Sequence, residues 1–301
     1  MLQERRTGNR IAGRIVVTAA YGVALAVAFA VVATLRASTG MAEGIALALA
    51  ADVAATVAIF LFSLALSNSS LYDPYWSLAP LPIAVYWLRS AGEAGSSLRG
   101  NVAVTLLAIW GLRLTWNWMR RWRGLRDEDW RYVALRNRCG PLYWPVSFLG
   151  IHLLPTLLVF AGCLPLYVVS TSTRQPRILD GIALLVTAGA IWIEARADTE
   201  LRRFLDTGPH PIRLLTTGLR SRLRYPNYLG EIGFWWGLWL FGAAAAPRRW
   251  WTIAGPLSIT LLFVLVSIPM MDRRMLRRPG YADRMRTTPA LVPRLRANPG
   301  G

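Results

Sequence analysis

The stretch RLRYPNYLGE, residues 222–231, sets two arginines, a Tyr-Pro-Asn-Tyr turn and a carboxylate at the mouth of an apolar run, IGFWWGLWLFGAAAA. Guanidiniums make paired hydrogen bonds to phosphate. Pro226 fixes its own φ and disfavours helix at Tyr225, so the chain is predicted to turn here and restart as a helix near Tyr228. The free N–H groups and positive dipole end of such a helix suit an anion, and Arg220, Arg222 and Arg224 crowd the same place. Interfacial anchoring accounts for Tyr225 and Tyr228. It accounts poorly for Glu231, whose carboxylate enters the next apolar run. The chemistry that suits this group, Asn227 included, is the holding of a phosphate-bearing molecule.

Three other groups bear on chemistry. In WIEARADTELRRF, residues 192–204, Glu194, Asp198 and Leu201 are spaced to share one helical face. A carboxylate near the end of a span is costly unless paired, and Arg202 and Arg203 extend the helix as phosphate or carboxylate partners. The plainer alternative is a helix that leaves the bilayer and wets its acids. In SLYDPYWSLAPLP, Asp73 is flanked by Tyr72, Tyr75 and Trp76. A carboxyl group among apolar rings can be held protonated and donate a proton, and a phenol can donate to a substrate carbonyl; an Asp-Pro turn in an aromatic belt is the alternative. In RRWRGLRDEDWRYVALRNRCG, residues 120–140, charges alternate in sign beside aromatic rings. This stretch suits either lipid headgroups or a nucleotide phosphate. It does not suit nucleic acid, which calls for a basic face on a soluble module.

His152, in GIHLLP, reads as a satisfied interior histidine near Pro155. His152 and His210 are far apart, and Cys139 and Cys163 lack metal-type spacing, so no metal site and no disulfide framework is expected. No P-loop, G-x-G-x-x-G or Ser-His-Asp arrangement stands out.

These groups need elements to position them. The chain has 301 residues, 54% hydrophobic and only 17% charged, against about a quarter charged in soluble domains. Apolar runs near the ~20 residues that cross a bilayer recur. The expected fold is all-α, a polytopic transmembrane bundle with spans near 11–35, 45–66, 78–89, 101–119, 146–169, 178–196, 229–246 and 250–271. The third is short and carries Pro80 and Pro82, so the count is seven to eight. The first run is longer than the ~7–15 apolar residues of a cleaved signal and reads as a retained helix. All 34 basic residues are arginine, and they gather before the first span and in 120–145, 197–228 and 272–301. The positive-inside rule puts those segments, and both termini, in the cytoplasm. No internal repeat breaks the chain, so 1–301 reads as one membrane domain.

Taken together these residues resemble the steroid 5α-reductase family, most closely its bacterial membrane members. The resemblance is densest over 178–293, in IEARADTELRRF, TTGLRSRLRYPNYLGEIGFWWGLWL and SIPMMDRRMLRRPGYADRMRTTPALVP. It is looser in the N-terminal half, through DPYW, LRLTWNWMRRWRG and DEDWRY. It implies an integral protein of the bacterial plasma membrane that binds NADPH from the cytoplasm. The implied reaction is hydride transfer to the β-carbon of a C=C bond conjugated with a carbonyl, in an apolar substrate entering from the bilayer. Residues 11–170 would form the substrate side and 178–293 the cofactor-binding region. By position, Asp73 is the candidate acid, with Tyr72 or Tyr75 as hydroxyl donors. The place of the family's tyrosine, near Trp110, holds none. Asp198, Asn227 and Glu231 align with cofactor-facing positions, Arg121, Arg202 and Arg224 are phosphate partners, and Tyr281 lies in the tail that closes over the cofactor. Related proteins have histidine where this chain has Tyr225. The R-x-P-x-Y pattern at 224–228 also resembles isoprenylcysteine carboxyl methyltransferases, which bind S-adenosylmethionine. A non-catalytic lipid-binding membrane protein is a third reading.

Overall fold

The apolar runs become helices wherever proline and glycine allow. The computed structural model describes residues 2–39, 44–92, 97–208 and 213–293, with side chains from residue 10 onward. Among the described residues there is no strand. The chain forms two compact units, Met1–Gln175 and Pro176–Gly301. Their boundary falls between the two halves distinguished in the sequence.

The first unit opens with α1 (Leu2–Thr39) and α2 (Ile45–Ala65), which pack on one another through the small residues Ala20, Ala24 and Ala55 beside Ile59. Asn68 then accepts from the Ser70 amide and stops the chain in a tight turn. Two short helices follow, α3 (Tyr75–Leu78) and α4 (Pro80–Ser90). The latter, with 11 residues, is too short to cross a bilayer. Ser97 caps α5 (Leu98–Arg121), and Asp129 caps α6 (Trp130–Cys139). The chain runs on through α7 (Tyr143–Ser147) into α8 (Leu154–Ser170) by a π-helical turn at Phe148–Leu153. Pro155 explains that wide turn, since its ring clashes with the carbonyl four residues earlier.

The second unit contains α9 (Ile178–Asp206), α10 (Pro226–Ala245), α11 (Ala254–Leu262), α12 (Ile268–Met275) and α13 (Tyr281–Thr287). A second π-turn, Phe263–Ser267, precedes Pro269 just as the first precedes Pro155. α9 and α10 approach so closely that glycine is required: a Cβ on Gly230 would lie 2.7 Å from Glu194 Cβ, and one on Gly237 would lie 2.2 Å from Thr187 Oγ1. Small residues allow such approaches between helices in a bilayer.

Among the described residues, five helical segments are long and apolar enough to cross a membrane: Arg10–Thr39, Ile45–Ala65, Trp130–Ser170, Ile178–Asp206 and Pro247–Met275. Of the other expected spans, 101–119 and 229–246 fall in α5 and α10, of 24 and 20 residues. These have the length but carry Trp, Asn, Tyr, Arg and Glu along it. The span expected at 78–89 is α4.

Candidate functional site

In the first unit the loop between α2 and α3 is gripped by the charged segment 125–136. Asn68 Nδ2 donates to the Leu125 carbonyl at 2.6 Å, the Ser69 amide donates to Glu128 Oε1 at 2.8 Å, and the Asp129 amide donates to Ser70 Oγ at 2.8 Å. Arg136 closes the set, pairing with Glu128 at 2.9 Å and lying 4.0 Å over the Tyr143 ring. Sign alternation in 120–140 therefore builds a fold contact rather than a row of free cations. Arg121, at the end of α5, is exposed, with Nε donating to the Asn117 carbonyl at 3.3 Å.

That grip sorts the three proposed catalytic side chains into two places. Asp73 accepts from the Tyr132 hydroxyl at 2.5 Å, with Arg131 at 4.0 Å. Burial pushes the Asp73 carboxyl up to about 6, against the downward pull of Arg131 and Tyr132. Tyr72 and Tyr75 turn elsewhere. Their rings lie 5.5 Å apart. The Tyr72 hydroxyl meets Thr156 Oγ1 at 2.8 Å, and Thr156 meets Thr56 Oγ1 at 2.9 Å. Tyr75 donates to Asp52 Oδ1 at 3.1 Å.

Asp52 is the residue the sequence reading missed. It sits within the apolar run of α2 and is only 6% exposed. A lone carboxylate inside a span is itself a functional indication. His152 is buried as expected, with Nδ1 at 3.0 Å from the Ser147 carbonyl and Nε2 at 3.2 Å from Ser63 Oγ. His210 lies outside the described residues.

The Asp73 shift has a measurable consequence. Its pKa is raised in the fold from 3.8 to about 6, so its favourable contribution is complete below pH ~4 and is lost as pH rises through ~6. Relative to Asp73→Asn, the wild type is expected to lose on the order of 2–3 kcal/mol between those limits. The difference in denaturation midpoint between the two proteins at pH 4.5 and pH 7, treated as about the two limits, measures it.

In the second unit the helix restarts at Pro226, within two residues of the predicted place. Around that restart, the structure gathers Asp198, Arg224, Tyr225, Asn227, Tyr228 and Tyr281. Tyr225 and Tyr228 stack at 5.1 Å, and Tyr228 meets Phe263 at 4.8 Å. The centre of the group is Asp272, which sequence reading assigned no role. Its Oδ2 pairs with Arg224 Nη2 at 2.9 Å, and its Oδ1 accepts from both Tyr225 and Tyr281 hydroxyls at 2.6 Å. Burial, then these hydrogen bonds to Asp272, raise both phenols, Tyr281 to about 12. Arg224 also donates to the carbonyls of Met285 and Thr288, and the amides of Arg224 and Tyr225 donate to those of Pro289 and Ala290. Arg224, Tyr225 and Tyr281 are thus engaged in clasping the C-terminal segment.

Glu194 and Glu231 are each 4% exposed, and Glu231 accepts from Trp235 Nε1 at 2.9 Å. Arg202 reaches Thr199 Oγ1 at 3.5 Å, and Arg222 is exposed. Burial lowers the Arg220 guanidinium, Asp198 offsets this and Arg284 adds to it. The Nε atoms of Arg220 and Arg224 and the Oδ1 of Asn227 are buried without a hydrogen-bond partner among the described residues. Also among the described residues, no group of His, Cys, Asp and Glu could hold a metal ion.

Described residues that are helical without a strand, with five apolar helices of spanning length among them and polar clusters at helix ends, mark an integral membrane protein. It belongs to the DUF1295 family, whose model, described as a protein of unknown function, matches residues 59–288. An uncharacterized protein of Schizosaccharomyces pombe, C594.04c, is 27% identical over 225 residues, which are 67% of this chain and 65% of that protein. The chain thus spans 65% of the length of this curated relative. No solved structure matches it.

Proposed function

We propose that this protein is a membrane-embedded, NADPH-dependent reductase of a C=C bond conjugated to a carbonyl, in a steroid-like, isoprenoid or other lipid substrate that enters from the bilayer. In this reading it crosses the bacterial plasma membrane seven or eight times with both termini in the cytoplasm. DUF1295 is commonly related to steroid 5α-reductase-like membrane proteins, which supports the reading.

The observation that carries it is the set of buried, unpartnered polar atoms at the start of α10: Nε of Arg220, Nε of Arg224 and Oδ1 of Asn227. A cation-rich turn with spare donors fits phosphate, and a spare amide acceptor fits a polar head such as a carboxamide. When bound, NADPH supplies a hydride to the β-carbon of the substrate, the α-carbon taking a proton. Arg220 and Arg224 hold negative charge, with Arg202 and Arg222 as outer cations. Glu194, Asp198, Asn227, Tyr228 and Glu231 orient the polar groups, and Tyr225 and Tyr281 position Arg224 through Asp272. In the first unit Tyr75, on exchanging its hydrogen bond to Asp52 for one to the substrate, donates to the carbonyl oxygen and stabilises developing enolate charge. Tyr72 holds the neighbouring hydroxyl chain through Thr156. Asp73, whose carboxyl is raised by burial to about 6, is the second acid in its protonated fraction.

The test is binding of NADPH against S-adenosylmethionine to the detergent-purified protein. NADPH binding alone agrees with the reading. S-adenosylmethionine binding alone would mark methyl transfer of the isoprenylcysteine carboxyl methyltransferase type. Binding of neither would mark a non-catalytic lipid-binding protein. With a substrate in hand, Tyr75→Phe and Asp52→Asn are each expected to lower kcat about 100-fold with NADPH affinity unchanged. Full turnover in both would remove the pair from the mechanism, and Asp73→Asn tests the other acid in the same assay.

A further inference from the structure

Arg220 and Arg284 are 64 residues apart in the chain, yet they meet. Arg284 Nη2 donates to the backbone carbonyl of Arg220, and Arg220 Nη1 donates to the carbonyl of Arg224 at 2.8 Å. Those bonds leave most of both guanidinium edges uncommitted, and Arg220 Nε is buried without a protein acceptor. Carboxylate is scarce here. Asp272 is fully engaged by Arg224, Tyr225 and Tyr281, and Asp198 acts on Arg220 alone of the pair. Glu200 also lies against this turn, accepting from the Leu219 amide at 2.9 Å, but it is paired with Arg196, as Asp283 is with Arg286. Burial comes first for both; with repulsion from Arg284 on Arg220 and from Arg224 on Arg284, it holds both below the usual arginine range.

Guanidiniums brought together half-buried are what an oxyanion with several acceptor oxygens stabilises, each fork giving two parallel hydrogen bonds. The placement of Arg284 adds a second point. It lies on α13, whose base is fixed by Tyr281 to Asp272. Its far side meets the turn Gly218–Ser221 through Arg284.

We propose that Arg220 and Arg284 form a subsite for a phosphoryl group, and that filling it ties α13 to the 218–221 turn. Where the phosphoryl group belongs to NADPH, the inference rests on the reductase reading. The same chemistry is offered by an anionic lipid headgroup.

The experiment uses the full chain in phosphatidylcholine nanodiscs. NADPH affinity is measured by calorimetry, and the thermal midpoint is compared with nanodiscs containing phosphatidylglycerol. Arg220→Gln and Arg284→Gln are each expected to weaken NADPH about 30-fold, the loss of one pair of charge-assisted hydrogen bonds. Arg284→Lys, which keeps the charge but not the fork, should recover part of it. NADPH should protect the wild type from trypsin at Arg284 and Arg286, and protect Arg220→Gln less. Unliganded midpoints and trypsin patterns of the variants show whether they fold, and the lysine variant keeps the test open if a glutamine variant does not. If the variants lose only the stabilisation by phosphatidylglycerol, the subsite stands with a lipid as its occupant; the reductase reading then fails only if the wild type also binds no NADPH. If affinity for NADPH and response to phosphatidylglycerol are both unchanged in the variants, or both absent from the wild type, the subsite does not exist.

Discussion

Asp272→Ala is expected to cost the protein about 3–5 kcal/mol, because it strips a nearly buried guanidinium of its carboxylate. The side chains of Arg224 and Asp272 are 9% and 10% exposed, so little water is available to compensate. Two phenols lose their acceptor in the same step. The backbone pairing of Arg224 and Tyr225 with Pro289 and Ala290 then keeps the arginine's carbonyl contacts and the Tyr225–Tyr281 hydrogen bond but loses its charged centre. Denaturant unfolding in detergent should show the lower midpoint, and trypsin should cut the arginine-rich stretch 277–286 faster at native conditions. Asp272→Asn, which keeps acceptor capacity but loses the charge, should fall between. The pairing energy proper comes from a double-mutant cycle with Arg224→Met, since Asp272→Ala alone also measures the orphaned arginine. An unchanged midpoint in Asp272→Ala would mean that this network contributes nothing to the fold.

Gly237→Val is expected to be comparably disruptive. Its first added carbon would sit 2.2 Å from Thr187 Oγ1, 2.9 Å from the Thr187 amide nitrogen and 3.0 Å from its Cα. Two of those three atoms are backbone and cannot rotate away, so α9 and α10 would have to part. Overpacking of a well-filled core costs typically 1–3 kcal/mol. Separating these helices also opens the seam at Gly230, where the neighbours are Glu194 Cβ and the Ala190 carbonyl at 2.7 and 2.8 Å, so about 4 kcal/mol or loss of folded protein is the expected outcome. Gly237→Ala alone, paired with Thr187→Ala, should recover part of the loss by removing the closest atom. Folded yield and midpoint in detergent measure both, and normal values for Gly237→Val would refute the close seam.

Much of this architecture is legible in the sequence because apolar length and proline placement are local. The restart at Pro226 follows from proline's fixed φ, and the shared face of Glu194 and Asp198 follows from helical periodicity. The spans that failed to qualify did so for physical reasons. Pro80 and Pro82 fall at the first turn of α4, where proline begins a helix rather than breaking a long one, and the helix that results is only 11 residues. Partner choice was not legible, because it is decided by tertiary contacts. Arg224 and Tyr225 read as cofactor residues from their neighbours, and the structure adds a partner the sequence does not indicate, Asp272, 48 and 47 residues away. Asp73 and Tyr75, two residues apart, were read as alternative donors at one place. The turn between them sends one to Tyr132 and the other to Asp52. Asp52 was hidden by the strength of the apolar pattern around it, although that strength is what makes a carboxylate there informative.

The interlock of α9 with α10 also restricts how the second unit can move. With Thr187 and Glu194 seated directly against glycine backbone, neither helix can slide or roll without steric collision, and packed interfaces of this kind switch between discrete arrangements rather than deform smoothly. A conformational cycle in which these two helices rock against each other is therefore closed to this unit. Exchange of any bound molecule must be served by displacement of short peripheral pieces around a stationary helical pair.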